Sequence, residues 1–284
     1  MTVAVTGATG KLGALVIREL LQTTEPGEIV AVVRDPAKAA DLAAQGIQVR
    51  QAGYADPAAL RAAFTGVDAL LFISSNEVGQ RVEQHRNVID AAVAATVGRV
   101  VYTSAPKATT TSLVLAPDHK FTEEYLTASG LPFTILRNNW YTENYLGQIQ
   151  TARQTGALVA AAGAGRVASA SRADFAAAAA AVLTQAGHEG RVYELGGDHA
   201  WDFTELAAAL SEIVGEPVTY RSVDGPTLVG ILQQVGLDEG TAGFVAQLDD
   251  DIAHGALAEV TGELSKLIGR PTTPLLDGLR NAAG

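Results

Sequence analysis

Short apolar runs recur through the first half of the chain, each followed by a longer stretch with helical spacing. Thr2 to Val5 leads into Leu12, Leu15, Val16, Leu20 and Leu21 at helical intervals. Glu28 to Val33 predicts a second strand, Pro36 to Gln45 a helix, and Ile47 to Arg50 a short strand. A helix around Pro57 to Phe64, a strand over Ala69 to Ile73, a helix over Val78 to Ala95 and a strand over Arg99 to Thr103 continue the alternation. Runs without polar alternation suit strands buried on both faces, in a parallel sheet covered by helices. Regular β–α order implies right-handed crossovers and a doubly wound parallel sheet, an α/β fold.

Beyond the strand-like Leu131 to Arg137 the pattern loosens. A helix over Arg172 to Ala186, a strand over Val192 to Leu195 and a helix over Phe203 to Val214 precede more helix toward the end. The expected division is a nucleotide-binding domain over 1–140 and a smaller, mainly helical lobe over 141–284, part of which returns to the sheet. Ala176 to Ala181 predicts a closely packed helix.

Composition narrows the function. Hydrophobic residues make up 48% of the 284, enough for a sizeable core. A net charge of -11 argues against nucleic-acid or anionic-membrane partners, which need a basic surface. No apolar run approaches the ~18 residues of a membrane span, and no signal peptide is evident, so a cytoplasmic protein is expected. Cysteine is absent, which removes disulfides and thiol nucleophiles. His85, His119, His188, His199 and His254 show no ligand spacing, and Asp249-Asp250-Asp251 suggests an exposed acidic turn, so no metal is expected.

The first strand runs into Gly7-Ala8-Thr9-Gly10-Lys11-Leu12-Gly13 and a helix follows at once. Gly7 permits a tight turn, Gly10 a close approach to a pyrophosphate, and Gly13 close packing of helix on strand, the arrangement of a Rossmann dinucleotide site. The helix start adds unpaired N–H groups and a positive dipole end. Ligands of such sheets lie beyond the strands' carboxyl ends. That rule selects Arg34, Ser74, Ser75, Asn76, Thr103, Ser104, Asn138, Trp140 and Tyr141 as cofactor-binding candidates beside Gly7 to Leu12. Arg34 suits the 2′-phosphate of NADPH, while Asp35 beside it can serve the 2′-hydroxyl of NADH.

The Tyr-x-x-x-Lys pair of ketone-reducing short-chain dehydrogenases is missing. Gly7, Arg34, Thr103, Ala116 and Gly262 precede the five lysines by four residues, and none is tyrosine. Hydride transfer to a planar acceptor that needs little protein acid, such as a quinone, fits this absence, because the cofactor does that chemistry. His119 and Lys120 are candidate proton donors, and Tyr141 is the second catalytic candidate. Trp140, Tyr141 and Tyr145 can stack on flat rings, with Asn138 and Asn144 orienting polar edges, or they pack a core. A homodimer through an apolar helix face is left open, as are a nucleotide-binding regulator that consumes no cofactor and a reductase of triphenylmethane or azo dyes.

Several segments together resemble the NmrA-like atypical short-chain reductases. They are Thr6-Gly7-Ala8-Thr9-Gly10-Lys11-Leu12-Gly13, Val33-Arg34-Asp35-Pro36, Ser74-Ser75-Asn76-Glu77-Val78-Gly79-Gln80-Arg81, Asn138-Asn139-Trp140-Tyr141-Thr142-Glu143-Asn144-Tyr145 and Ser265-Lys266-Leu267-Ile268-Gly269-Arg270-Pro271-Thr272-Thr273. Within that family the likeness runs toward the bacterial type 2 NAD(P)H:quinone oxidoreductases, with triphenylmethane dye reductases nearby. The resemblance implies NADPH along Gly7 to Leu12, Arg34 on its 2′-phosphate, Ser74 to Asn76 and Asn138 to Tyr141 near the cofactor, and a quinone as acceptor. Asn139 departs from a glycine associated with that family, and Lys120 and Phe121 alter the residues after His119.

Overall fold

In the computed structural model, which describes residues 1–77 and 79–283, the first half of the chain alternates strand and helix as the apolar runs predict. The strands are β1 (Val3–Thr6), β2 (Ile29–Val33), β3 (Gln48–Gln51), β4 (Ala69–Phe72), β5 (Arg99–Ser104) and β6 (Phe133–Asn138). Between them lie α1 (Gly13–Leu20), α2 (Ala40–Ala44), α3 (Pro57–Ala63), α4 (Arg81–Ala94) and α5 (Ala116–Ala128). The stretch predicted as one helix over 36–45 divides into a 3-10 turn, Pro36–Ala39, and the short α2. The predicted helix start at Val78 falls outside the described residues.

Two compact units account for the chain. The first comprises 1–109, 117–138 and 172–194; the second comprises 110–116, 139–171 and 195–284. The crossing back at 172 brings α7 (Arg172–Thr184) and most of β9 (Val192–Leu195) into the first unit. A seven-stranded parallel sheet results, in the order β3-β2-β1-β4-β5-β6-β9. Its strand order reverses at β1, which pairs with β2 on one side and β4 on the other. This reversal opens a crevice at the carboxyl ends of the strands, where doubly wound sheets bind ligands.

The central strands β1, β2 and β4 are buried at every position, as a sheet covered on both faces requires. Leu60, Phe64, Leu70, Phe72, Val88, Ile89, Tyr102 and Leu126 form one core beside α3, α4 and α5. Elsewhere α7 packs against α1. Its alanines, buried at 176 and 178–180, let the two helices approach closely, as their small side chains predict.

In the second unit are α6 (Leu146–Thr155), α8 (Phe203–Val214), α9 (Gly225–Gln234), α10 (Glu239–Ala253), α11 (Glu263–Ile268) and α12 (Leu275–Ala283). Two small sheets join them: β7 (Ala157–Ala160) parallel to β11 (Thr219–Ser222), and β8 (Arg166–Val167) antiparallel to β10 (Trp201–Asp202). Asp202 caps α8 through a reciprocal capping box with Glu205. The acidic run at 249–251 is not an exposed turn. It lies on α10, where Asp249 and Asp251 are buried and accept from Ala161 N at 2.7 Å and Val114 N at 2.8 Å. Those carboxylates serve backbone donors, and no metal-ligating cluster occurs among the described residues.

Candidate functional site

The loop after β1 carries the three glycines, and each meets a different constraint. Gly7 adopts φ +58, a left-handed conformation that a side chain would strain, although space around it is open. A Cβ at Gly10 would lie 3.0 Å from the Gly7 carbonyl oxygen, to which the Gly10 N–H itself donates at 2.8 Å. At Gly13 a Cβ would stand 2.3 Å from that oxygen and 2.9 Å from Ala8 Cα. Only a glycine lets α1 start this close to the strand end. No side chain caps α1, so the positive end of its dipole is left to an anion bound at this loop.

That cleft, of about 560 Å³, lies wholly in the first unit, a size that suits an organic cofactor. Gly7, Thr9, Gly10, Lys11, Leu12, Arg34, Ser74, Ser75 and Asn76 all line it. Of the residues assigned from strand-end position, Arg34, Ser74, Ser75 and Asn76 come together around this cavity, whereas Thr103, Ser104, Asn138, Trp140 and Tyr141 are not in its lining. Ala8 is fully buried beneath the loop rather than exposed in it. Asp35 also lines the cleft, but one carboxylate oxygen accepts from Ala37 N at 3.1 Å and caps the turn that follows. Arg34 and Lys38, the latter the third residue of that turn, supply positive charge at the same end.

Lys38, Tyr54, Glu77 and Gln84 line the cleft without having been singled out. Tyr54 follows β3, so the strand-end rule applied to that short, partly exposed strand would have found it. Its hydroxyl donates to the Ile73 carbonyl at 2.6 Å and lies 2.5 Å from Thr6 Oγ1, tying three strand ends together. Burial pushes the Tyr54 phenol well above its usual range. It is a structural hydroxyl, not an acid.

The segment after β4 is held from behind. Ser74 N–H donates to Thr103 Oγ1 at 2.9 Å, which places Thr103 under the loop instead of in the cleft lining. Ser75 N–H donates to His85 Nε2 at 2.9 Å, and Arg81 Nε donates to the Ser75 carbonyl at 2.7 Å. Since His85 Nε2 accepts, its Nδ1 carries the proton and donates to Thr122 Oγ1 at 2.7 Å. Burial, with the positive charges of neighbouring groups, lowers His85 to about 3, so the ring is neutral at ordinary pH.

Ser104 turns away from the cleft as well. Its hydroxyl donates to Glu123 Oε1 at 2.5 Å, and Arg137 grips the same carboxylate with Nε at 2.9 Å and Nη2 at 2.6 Å. Arg137 Nη1 reaches Glu194 Oε1 at 2.7 Å, while Glu194 Oε2 accepts from Lys107 N at 3.1 Å. Glu123 raises the Arg137 guanidinium's pKa further by its hydrogen bonds. Asn138 ends β6 buried and is not among the cleft-lining residues.

His119 is not the surface histidine that its place near a helix start suggests. It is 6% exposed, with Nδ1 2.8 Å from the Tyr102 hydroxyl. Burial, then the charge of Arg81, lowers it to about 3. A neutral ring can offer a hydrogen bond but has no spare proton near pH 7. Lys120 is exposed and 4.0 Å from Glu124 on its own helix.

In the second unit, the backbone at 140–142 runs parallel to 168–171. Ala170 N donates to Trp140 O at 3.2 Å and Thr142 N to Ala170 O at 2.9 Å. Trp140 and Tyr141 are half-buried. Tyr145 instead packs edge-on against Trp201 and Phe203, with ring centroids 5.1 and 6.2 Å away, so it belongs to that unit's core. Asn139, buried, accepts from Trp140 N at 2.7 Å and donates to Leu257 O at 3.2 Å.

A family model described as NAD(P)H-binding matches residues 7–186. Quinone oxidoreductase 2 of Escherichia coli (strain K12) is 52% identical over 277 residues, covering 98% of this chain and 97% of that protein. The crystal structure of NADPH-dependent quinone oxidoreductase from Escherichia coli complexed with NADPH superposes with a TM-score of 0.96 at 51% identity, with both chains fully covered. Citrobacter sp. triphenylmethane reductase complexed with NADP(H) gives a TM-score of 0.94 at 38% identity, covering 99% of this chain and 100% of that one.

Proposed function

We propose that this chain, which belongs to the NAD(P)H-binding family, is an NAD(P)H:quinone oxidoreductase that takes NADPH and reduces quinones or similarly planar electrophiles. One observation carries the reading: the glycine cradle and the Arg34–Lys38 end occupy a single cleft. The cradle suits a pyrophosphate and the cationic end a 2′-phosphate. The likeness to a quinone oxidoreductase extends over almost the whole chain and supports the choice of acceptor.

NADPH, when bound, supplies two electrons as a hydride from its nicotinamide ring. The chain's own residues bind and orient. Backbone N–H groups of the 7–13 loop other than those of Ala8 and Gly10, which are spent on Val32 O and Gly7 O, hold the pyrophosphate, Arg34 and Lys38 the adenosine phosphate, and Ser74, Ser75 and Asn76 the facing side. Asp35, with one oxygen engaged in its own cap, leaves Arg34 to decide the nucleotide, so NADPH is preferred and NADH is accepted less well. Thr103 and Ser104 act from behind, the first by propping Ser74.

Trp140 and Tyr141, half-buried in the second unit, are flat rings of the kind that a planar molecule can stack on. No residue needs to act as a strong acid, because a reduced quinone oxygen takes its proton from water. His119 contributes at most an N–H hydrogen bond. A reductase fed by NADPH works in the cytoplasm, where that reductant is held, and we assign the chain there.

Stopped-flow absorbance at the NADPH band tests the assignment. Mixing with simple quinones should consume the nucleotide with saturating kinetics. Absorbance that stays constant across a quinone panel, with binding intact, would identify a nucleotide-binding regulator instead. Faster turnover of cationic dyes than of any quinone would reassign the acceptor.

A further inference from the structure

Glu77 stands in the same cleft as Arg34 and already holds its guanidinium. Arg34 Nη1 donates to Glu77 Oε1 at 2.9 Å. This carboxylate is not a loose surface partner. Its Oε2 accepts from Gln84 Nε2 at 2.6 Å, Gln84 Oε1 accepts from Ser75 Oγ at 2.5 Å, and Ser75 Oγ accepts from the Glu77 N–H at 3.1 Å. Ser75 and Gln84 are buried, so this closed ring of bonds aims the carboxylate at Arg34. Arg34 itself is 76% exposed, with room to turn toward another anion.

We propose that Glu77 is a built-in counter-anion for Arg34 that the 2′-phosphate of NADPH must displace, and that it thereby limits the protein's preference for NADPH over NADH. The proposal rests on the NADPH reading of the cleft given above. A guanidinium offers its fork better to a phosphate, which takes two parallel hydrogen bonds, than to a carboxylate reached through one nitrogen. The phosphate therefore wins, but it wins against a pair that was already made. It also brings nearly two negative charges close to a carboxylate whose direction is fixed. NADH meets neither cost. It leaves the Arg34–Glu77 pair standing and presents a 2′-hydroxyl that a carboxylate can accept from. Both effects push in one direction: Glu77 weakens NADPH and favours NADH. Exposed ion pairs are weak, so the factor is modest.

Calorimetric titration of the full chain with NADPH and with NADH gives the ratio of their dissociation constants. Glu77→Gln should raise the NADH-to-NADPH ratio of Kd values by about fivefold to tenfold, chiefly by tightening NADPH. Glu77→Asp, which keeps the charge but shortens the reach, should raise it less. In an Arg34→Gln background the same Glu77→Gln change should tighten NADPH clearly less than it does with Arg34 present, since the repulsion remains but no guanidinium is left to release. A ratio unchanged or lowered in Glu77→Gln overturns the proposal. So does an undiminished gain in the Arg34→Gln background, which would show plain charge repulsion without displacement. Wild-type protein that binds neither nucleotide would defeat the cofactor reading itself. Wild-type protein that binds NADPH with a ratio insensitive to residue 77 defeats only this inference.

Discussion

Gly7 and Gly13 are both required by the cradle, yet for separable physical reasons. At Gly13 the obstacle is backbone, with the Gly7 carbonyl 2.3 Å from any added Cβ, and neither partner can rotate away. Gly13→Ala should therefore force α1 off the strand end, costing about 2–4 kcal/mol in urea denaturation and abolishing detectable NADPH binding. Gly7→Ala meets no atom within 4 Å and pays only for its φ of +58, about 1–2 kcal/mol. A larger loss at Gly7 than at Gly13 would contradict this account. Arg34 behaves differently again, because it acts on ligand and not on fold. Arg34→Glu should raise the NADPH KM by about 100-fold, leave kcat within about threefold, and barely move the denaturation midpoint. Spacing alone made these residues legible, since glycine and strand-end position have few other uses here. Burial was not legible: nothing in Pro117-Asp118-His119-Lys120 says which side of α5 faces inward, and the histidine proves to be inside.

At the scale of elements, the 73–77 segment is a loop made rigid by its neighbours. Thr103 from β5 and His85 from α4 each accept one of its backbone N–H groups, and Arg81 donates to one of its carbonyls. Replacing His85 by Leu strands the Ser75 N–H in a buried site, while the Thr122 hydroxyl keeps its bond to the Asp118 carbonyl. About 2–4 kcal/mol of stability should be lost. A loosened loop should also raise the NADPH KM several-fold while kcat at saturation stays near wild type. A pure stability loss with unchanged KM at low temperature would show that His85 only packs the core. The doubly wound parallel sheet and the cleft's position at its strand ends followed from strand alternation. The props behind the loop did not, because they come from β5, α4 and α5, and no periodicity reveals which polar side chains turn toward a shared backbone. The acidic run on α10 shows the same limit: three adjacent aspartates suggest a solvated turn, but α10 is covered on more than one side, so Asp249 and Asp251, about 200° apart around the helix, both meet backbone donors, Ala161 and Val114.

Across the whole molecule, three buried titratable groups set opposing dependences of stability on pH. His85 and His119 sit near 3 when folded against 6.5 when free. Below pH 6.5 the unfolded chain takes up protons that the folded chain refuses, so each ring removes about 1.4 kcal/mol per pH unit down to about pH 3. Asp249 runs the other way. Burial raises it to about 6 from 3.8, outweighing the hydrogen bond from Ala161. Above pH 6 the carboxylate is charged in both states, and folding bears a cost of about 3 kcal/mol. As pH falls from 6 to 3.8 the folded chain takes the proton first, and that cost disappears. Asp249→Asn mimics the protonated form and can still accept from the Ala161 N–H. It should therefore stabilise the protein by up to about 3 kcal/mol at pH 8, by progressively less below pH 6, and not at all near pH 4. Urea denaturation of wild type and variant at pH 8, 6, 5 and 4 gives the difference directly. A gain that stays constant across that range would mean the side chain's charge is not what the second unit bears, and that its packing is.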